Sequence, residues 1–250
     1  MPALKMEDKH FYIDKTGIPV IDQGFEDCVS FNEGLAAVMI GGEFGYIDKT
    51  GRIIIEPKLE EGDYFREGFA PFYENERWGF IDRTGKSVIS PQFDRPAYFS
   101  EGLAHIFIDG KHGFIDRRGE MILDMHFTEA MGFSDELAGD KFNGKGGFIN
   151  KIGDVVIAPI FDAVWGFQKG MAAVQIHGKL GFIDTNGDLV SQPRFDGISL
   201  LYEDFPCVAV NDKWGFIDKS GNIAIRPIYG TPSQFSEGLA PIATDKVRYC

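Results

Sequence analysis

Cysteine is scarce in this chain: Cys28, Cys207 and Cys250 are its only three, and no Cys-x-x-Cys pair occurs. An odd, widely spaced trio argues against a disulfide framework and against a zinc knuckle. Long apolar runs are missing as well. No stretch approaches the ~18 apolar residues of a membrane span, and the polar Met1–Lys9 segment lacks the apolar centre of a secretion signal. The expectation is a cytoplasmic protein that does not enter the membrane. Positive charge is also short, with 25 Lys and Arg against 38 Asp and Glu, a net −13. Tracking phosphates needs a basic stripe, so nucleic acid is not expected as a partner. An acidic surface favours solubility and steers a basic protein partner. Finally, the chain has no nucleophile elbow, phosphate-binding loop or His-Glu-x-x-His, so neither enzyme chemistry nor a cofactor is expected.

What is abundant is glycine, at 31 residues, and phenylalanine, at 23. That pairing suits a turn-dense β architecture with an aromatic core. The reason appears on counting by 34 from Ile81, which lands on Ile115, Ile149, Ile183 and Ile217, and backward on Ile47 and Ile13. The frame around Ile81 is Trp78-Gly79-Phe80-Ile81-Asp82-Arg83-Thr84-Gly85, and most of it recurs in all seven copies without a slip. Such regularity makes residues 10–250 one repeat domain after a tail at 1–9.

Each repeat reads as β. Leu103–Ile108 is a short apolar run, Asp109-Gly110 is a two-residue hairpin turn tolerant of positive φ, and Lys111–Ile115 returns. Asp116-Arg117-Arg118-Gly119 is then a second tight turn, with Asp accepting backbone N–H groups and Gly left-handed. A third strand follows, as at Lys86–Ile89. The aromatic two residues past each of Pro57, Pro91, Pro159, Pro193 and Pro227 is expected to head a short fourth strand, with proline at a strand start or edge. Helical hairpins of the same period fail, because Gly and Pro would fall inside the helices and the apolar spacing alternates.

Phe80 and Ile81 point to opposite faces, yet both are apolar, so each sheet is expected to stack between two neighbours. The chain begins on a second strand (Phe11–Asp14) and ends on a first strand (Leu239–Ala243). Together these complete one blade, which favours a closed seven-bladed propeller-like ring over an open β-solenoid. Blades this short call for three strands and a stub.

The Lys/Arg-Trp-Gly-Phe-Ile-Asp-x-x-Gly signature (Arg77–Gly85, Lys213–Gly221), with Glu-Gly-Leu-Ala before it and Ile-x-Pro-x-Phe-Asp after it, resembles the WG-repeat or KWG-repeat family. Only Trp78 and Trp214 keep the tryptophan; His10, Phe44, His112, Gly146 and Leu180 stand in its place. The resemblance implies a protein-interaction scaffold without catalytic residues, and extends to bacterial modules that act as immunity proteins against toxins. A carbohydrate-binding or hydrolytic propeller with inward carboxylates is the alternative.

The aspartates after Phe-Ile read as turn caps, and Asn150 replaces one of them. The acidic residues Glu33, Glu67, Glu101, Glu203 and Glu237 recur beside a loop glycine, which points to a structural role. His105, His112, His126 and His177 are read as separate residues of different repeats, without ligand spacing. The hairpin tips vary most between copies. Glu76, Arg77, Lys111, His112, His177 and Lys213 at the tips, with Trp165 in a loop outside the frame, are the candidate partner-binding residues. Neither oligomeric state nor binding face follows from the sequence.

Overall fold

A computed structural model of the chain describes residues 9–127, 130–199 and 206–230. The chain divides into two compact units, Met1–His126 and Phe127–Cys250. All regular structure among the described residues is β: six antiparallel sheets, each with strands in chain order. In the first unit they open with Asp27–Cys28, Glu61–Gly62 and Phe99–Ser100, two-residue stubs each followed by three longer strands. In the second unit a three-stranded sheet (Ala138–Phe142, Lys145–Ile149, Val155–Phe161) precedes two sheets opened by the stubs Ala163–Val164 and Gly197–Ser199. No helix of the described residues is long and apolar enough to cross a membrane.

The second sheet shows how sequence makes this unit. Phe69–Glu74 and Arg77–Asp82 pair in register around Asn75-Glu76, whose φ values of 53° and 63° match the twist of a tight hairpin. The same left-handed pair recurs at Asp109-Gly110, Asn143-Gly144, His177-Gly178 and Asn211-Asp212. Asp82 then closes the next turn: its Oδ1 accepts from the N–H groups of Thr84 (2.8 Å) and Lys86 (3.1 Å). Hydrogen bonds, Thr84's hydroxyl foremost, hold this carboxyl below the usual range. Asn150 makes the same two backbone bonds, which a turn cap needs and a metal ligand does not.

Two expectations change. The third strand does not stop before proline: Ser87–Phe93 runs through Pro91 and ends on the aromatic, Phe93, which pairs with Trp78. Proline is tolerated because this strand is the sheet edge. The short fourth strand forms further on and opens the next sheet, as Glu61–Gly62 pairing with Phe72 and Tyr73 shows. In the third sheet it is displaced to Phe99–Ser100, since Pro96 occupies the corresponding place and has no N–H. The glycine of Trp-Gly is the mid-strand partner of a bulge. The register shifts between Trp78 and Phe80, and a Cβ on Gly79 would lie 2.5 Å from the Ile89 carbonyl oxygen. Gly45, Gly147, Gly181 and Gly215 meet their own proline strands in the same way.

The core follows the two-faced pattern. Phe80, Phe114, Phe148, Phe182 and Phe216 are buried, and so is the isoleucine after each. One face of a sheet packs on the opposite face of the next: Phe80, Ile89 and Phe93 meet Ala104, Ile106 and Ile115. Phe148, Ile157 and Phe161 meet Ala172, Val174 and Ile183 in the second unit. Cys207 is buried as a small apolar residue, and burial pushes its thiol up to about 11. The first repeat is less regular than expected. Phe11–Asp14 forms no strand, and isolated bridges join His10 to Phe25 and Ile13 to Pro19. The strand expected to complete its blade, Leu239–Ala243, lies outside the described residues.

Candidate functional site

Both ends of the sheets carry links between consecutive repeats, and both are built from acids. At the Asp-x-x-Gly end, the loop before each first strand has Glu and Gly in succession with positive φ, 49° and 82° at Glu33-Gly34. Glutamate rarely adopts this conformation, and its carboxylate accounts for its presence. Glu33 accepts from the N–H groups of Glu67 (2.7 Å) and Gly68 (3.0 Å), one repeat on. Glu67 repeats the grip on Glu101 (2.5 Å) and Gly102 (2.9 Å), and Asp135 on Gly170 (2.7 Å). Arg83 and Arg117 reach back to Glu33 (3.5 Å) and Glu67 (3.1 Å). Burial alone would raise the Glu67 carboxyl; Arg117 and the two N–H groups outweigh it and hold it below the ordinary value. These acids are thus structural, as their recurrence implied. Glu203 and Glu237 lie outside the described residues.

At the hairpin end a second latch operates. Asp94 pairs with Arg77 of its own sheet and accepts the N–H of Asp109 in the next tip (2.7 Å). Asp162 does the same with Lys145 (2.6 Å) and the N–H of His177 (2.6 Å). Asp196 joins Lys179 to the N–H of Asn211 (2.8 Å), and Glu26 accepts from Gly41 and Gly42. The lysine partner, then the tip N–H, holds the Asp162 and Asp196 carboxyls below the usual range. These four acids were not among the candidates. Their signal was available, since each of these aspartates follows its cation by 17 residues.

The candidate residues separate accordingly. Glu76 and His177 sit on the tips and are exposed. Arg77 is engaged by Asp94, while Lys111 is exposed at the next tip. Lys213 is half-buried at the start of its strand. Glu76, Arg77, Lys111 and His112 therefore share the tip ends of two adjacent sheets of the first unit, and His177 and Lys213 those of two adjacent sheets of the second. Trp165 stands apart: it is partly buried, packs with Ala173, Leu180 and Phe182, and its backbone N–H bonds Ala173.

His112 departs from the reading of isolated histidines. It shares one hairpin with His105, whose Nε2 lies 2.9 Å from His112 Nδ1. The ring planes are within 5° with centroids 5.0 Å apart, so at that nitrogen spacing the rings meet nearly end to end rather than face over face. Burial, then the neighbouring His112, pushes His105 down to about 4. Sequence spacing hid the pair because cross-strand diagonals bring residues 105 and 112 together only in the hairpin register. Among the described residues, no group of three or more His, Cys, Asp or Glu is placed to hold a metal ion.

No curated protein sequence matches the chain. Among solved structures it is similar to one titled as the eukaryotic initiation factor, at 11% identity and TM-score 0.59, covering 84% of this chain and 67% of that one. It is also similar to Hsv2 of Kluyveromyces lactis, at 14% identity and TM-score 0.50, covering 78% and 73%. At these identities the likeness shows the fold alone, which is propeller-like. Seven consecutive segments, 11–43, 44–78, 78–111, 113–145, 147–179, 181–214 and 214–246, match the family described as WG containing repeat, and the chain belongs to that family.

Proposed function

We propose that the chain is a non-enzymatic scaffold that binds another protein through the side chains of its hairpin tips. The observation that supports this most is the tip latch. Aspartates hold neighbouring tips side by side through backbone N–H groups, while the tip side chains, such as Glu76 and His177, differ between repeats and stay exposed. A row of fixed backbones with free choice of side chain is what partner selection requires. The net −13 favours a basic partner. Neutralising a toxin is the narrower form of this reading, and a cytoplasmic location goes with it. The carbohydrate or hydrolytic alternative calls for inward carboxylates at one or two repeats, and Asp140 is the one buried acid among the described residues.

The test is affinity capture from the native host with wild-type protein and with Glu76→Lys, Lys111→Glu and His177→Glu. Capture of one protein by the wild type, its loss from the tip variants and its retention by Arg118→Glu at the opposite end are expected. Equal capture by all variants would sink the tip-face reading. For the narrower form, co-expression should rescue cells from a toxin encoded beside this gene, and failure to rescue removes that form.

A further inference from the structure

We infer that the outer strand of the three-stranded sheet, Val155–Phe161, is where the chain pairs with a second copy of itself. This strand comes last in its sheet, and among the described residues no strand pairs with its other side. The side chains it presents are unusual for an edge. Ile152 in the preceding turn is 76% exposed, Val155 50%, Val156 47% and Ile160 64%, and Ala158 is exposed between them. Among the described residues it is the one third strand of a sheet without a polar side chain. Sister copies carry Thr50 or Arg118 in place of Ile152, Glu56 or Arg226 in place of Ala158, and Lys58 or Gln92 in place of Ile160. The last described sheet keeps Ile228 at the final position but interrupts its strand with Arg226. Edge strands are ordinarily guarded by charge, because an unguarded one pairs with other chains. The repeat offers a polar residue at each of these three places, and this copy takes none of them. Since these side chains are exposed, packing within the sheet does not call for the change.

Charge decides the occupant. At a net −13 the chain draws a basic partner to its acids, and none of those lies between Val155 and Phe161. Two copies of so acidic a chain repel each other over most of their surface, so they meet best where charge is absent. A two-fold axis sets this strand antiparallel to its own copy, apolar against apolar. The same contact at Ile53–Leu59 would bring in Glu56 of both copies, and at Ile223–Tyr229 Arg226 of both. The strand ends are compatible as well. Asp162 is balanced by Lys145 (2.6 Å), so Asp154 of one copy meets a neutralised end of the other. Pro159 has no N–H, which confines backbone pairing to Val155–Ala158 and leaves Ile152 and Ile160 to extend the contact through their side chains.

The inference stands apart from the tip-face reading and uses a different edge of the molecule. Its test is sedimentation equilibrium of the full chain over a range of concentrations. The wild type is expected to form a dimer. Ala158→Glu and Ile160→Lys, taken singly, should raise its dissociation constant at least about tenfold. Both install what a sister copy carries, Glu56 or Lys58, so each variant should melt with the wild type at dilutions where that is monomeric. Ile228→Lys, on the edge of another sheet, should leave the dimer intact. A wild type that stays monomeric to its solubility limit overturns the proposal, as does a dimer that survives Ala158→Glu and Ile160→Lys. Assembly that grows past the dimer, or loss of the dimer with Ile228→Lys, also overturns it. A different protein bound through this strand while the chain alone stays monomeric would replace the second copy as occupant.

Discussion

At Gly79 an added methyl group would lie 2.5 Å from the Ile89 carbonyl oxygen and 2.7 Å from the Pro91 nitrogen, a collision with backbone that no rotamer relieves. Gly79→Ala should therefore destabilise the chain by about 2–4 kcal/mol in urea unfolding, because the bulge must open or the strands part. Phe80→Ala removes a fully buried ring that packs against Phe93 and Phe99, and about 3–5 kcal/mol is expected. His105 sets a pH dependence. Its folded pKa, about 4, lies below the unfolded value near 6.5, so the unfolded chain binds more protons between the two. Stability should thus be complete above about pH 6.5 and fall as pH drops toward 4. Melting curves from pH 8 to 4 should show a shallower fall for His105→Ala, alanine being what the repeat carries at Ala37 and Ala173. A wild-type slope retained in the variant would remove His105 as the source.

The single sheet is a hairpin plus an edge strand, and its stability depends on what the next repeat supplies. Each Phe-Ile unit needs a neighbour on both faces, and each loop N–H pair needs the carboxylate of the repeat before it. Glu67→Ala would leave the N–H groups of Glu101 and Gly102 and the Arg117 guanidinium without their acceptor. A loss of about 1–3 kcal/mol is expected, with the local opening visible as faster amide exchange at Glu101 and Gly102. If exchange there is unchanged, the carboxylate grip is not what orders that loop. At this scale much was legible in the sequence. Asn-Gly and Asp-Gly doublets encode the hairpin locally, and Asp-x-x-Gly encodes the turn. The proline strand was misread because its path depends on a bulge against Gly79 across the sheet, a contact that strand propensity does not carry. The Asp94 latch was legible only in part: the 17-residue spacing to Arg77 lies in the sequence, whereas its second contact, with the Asp109 N–H of the next tip, exists only once two sheets are packed.

For the molecule as a whole, the excess of acid is the property most open to measurement. Capture of a basic partner should begin with electrostatic steering, so its association rate should drop between 50 mM and 500 mM salt while the dissociation rate changes less. A rate indifferent to salt would speak against charge-led docking.

The sequence by itself determined the repeat length, the β class, the position of both tight turns and the burial of Phe and Ile on opposite faces. All of these are local properties, encoded by residue chemistry at fixed short spacing and repeated seven times. The tertiary structure decided which side chains are available for binding. Arg77 became a latch, Trp165 a packed residue, and His112 the partner of His105 only once strands were placed beside one another. Even the glycine of Trp-Gly took its meaning that way. Its lack of a Cβ matters because a carbonyl of the edge strand occupies that space, and the residue that brings it there is ten positions along the chain.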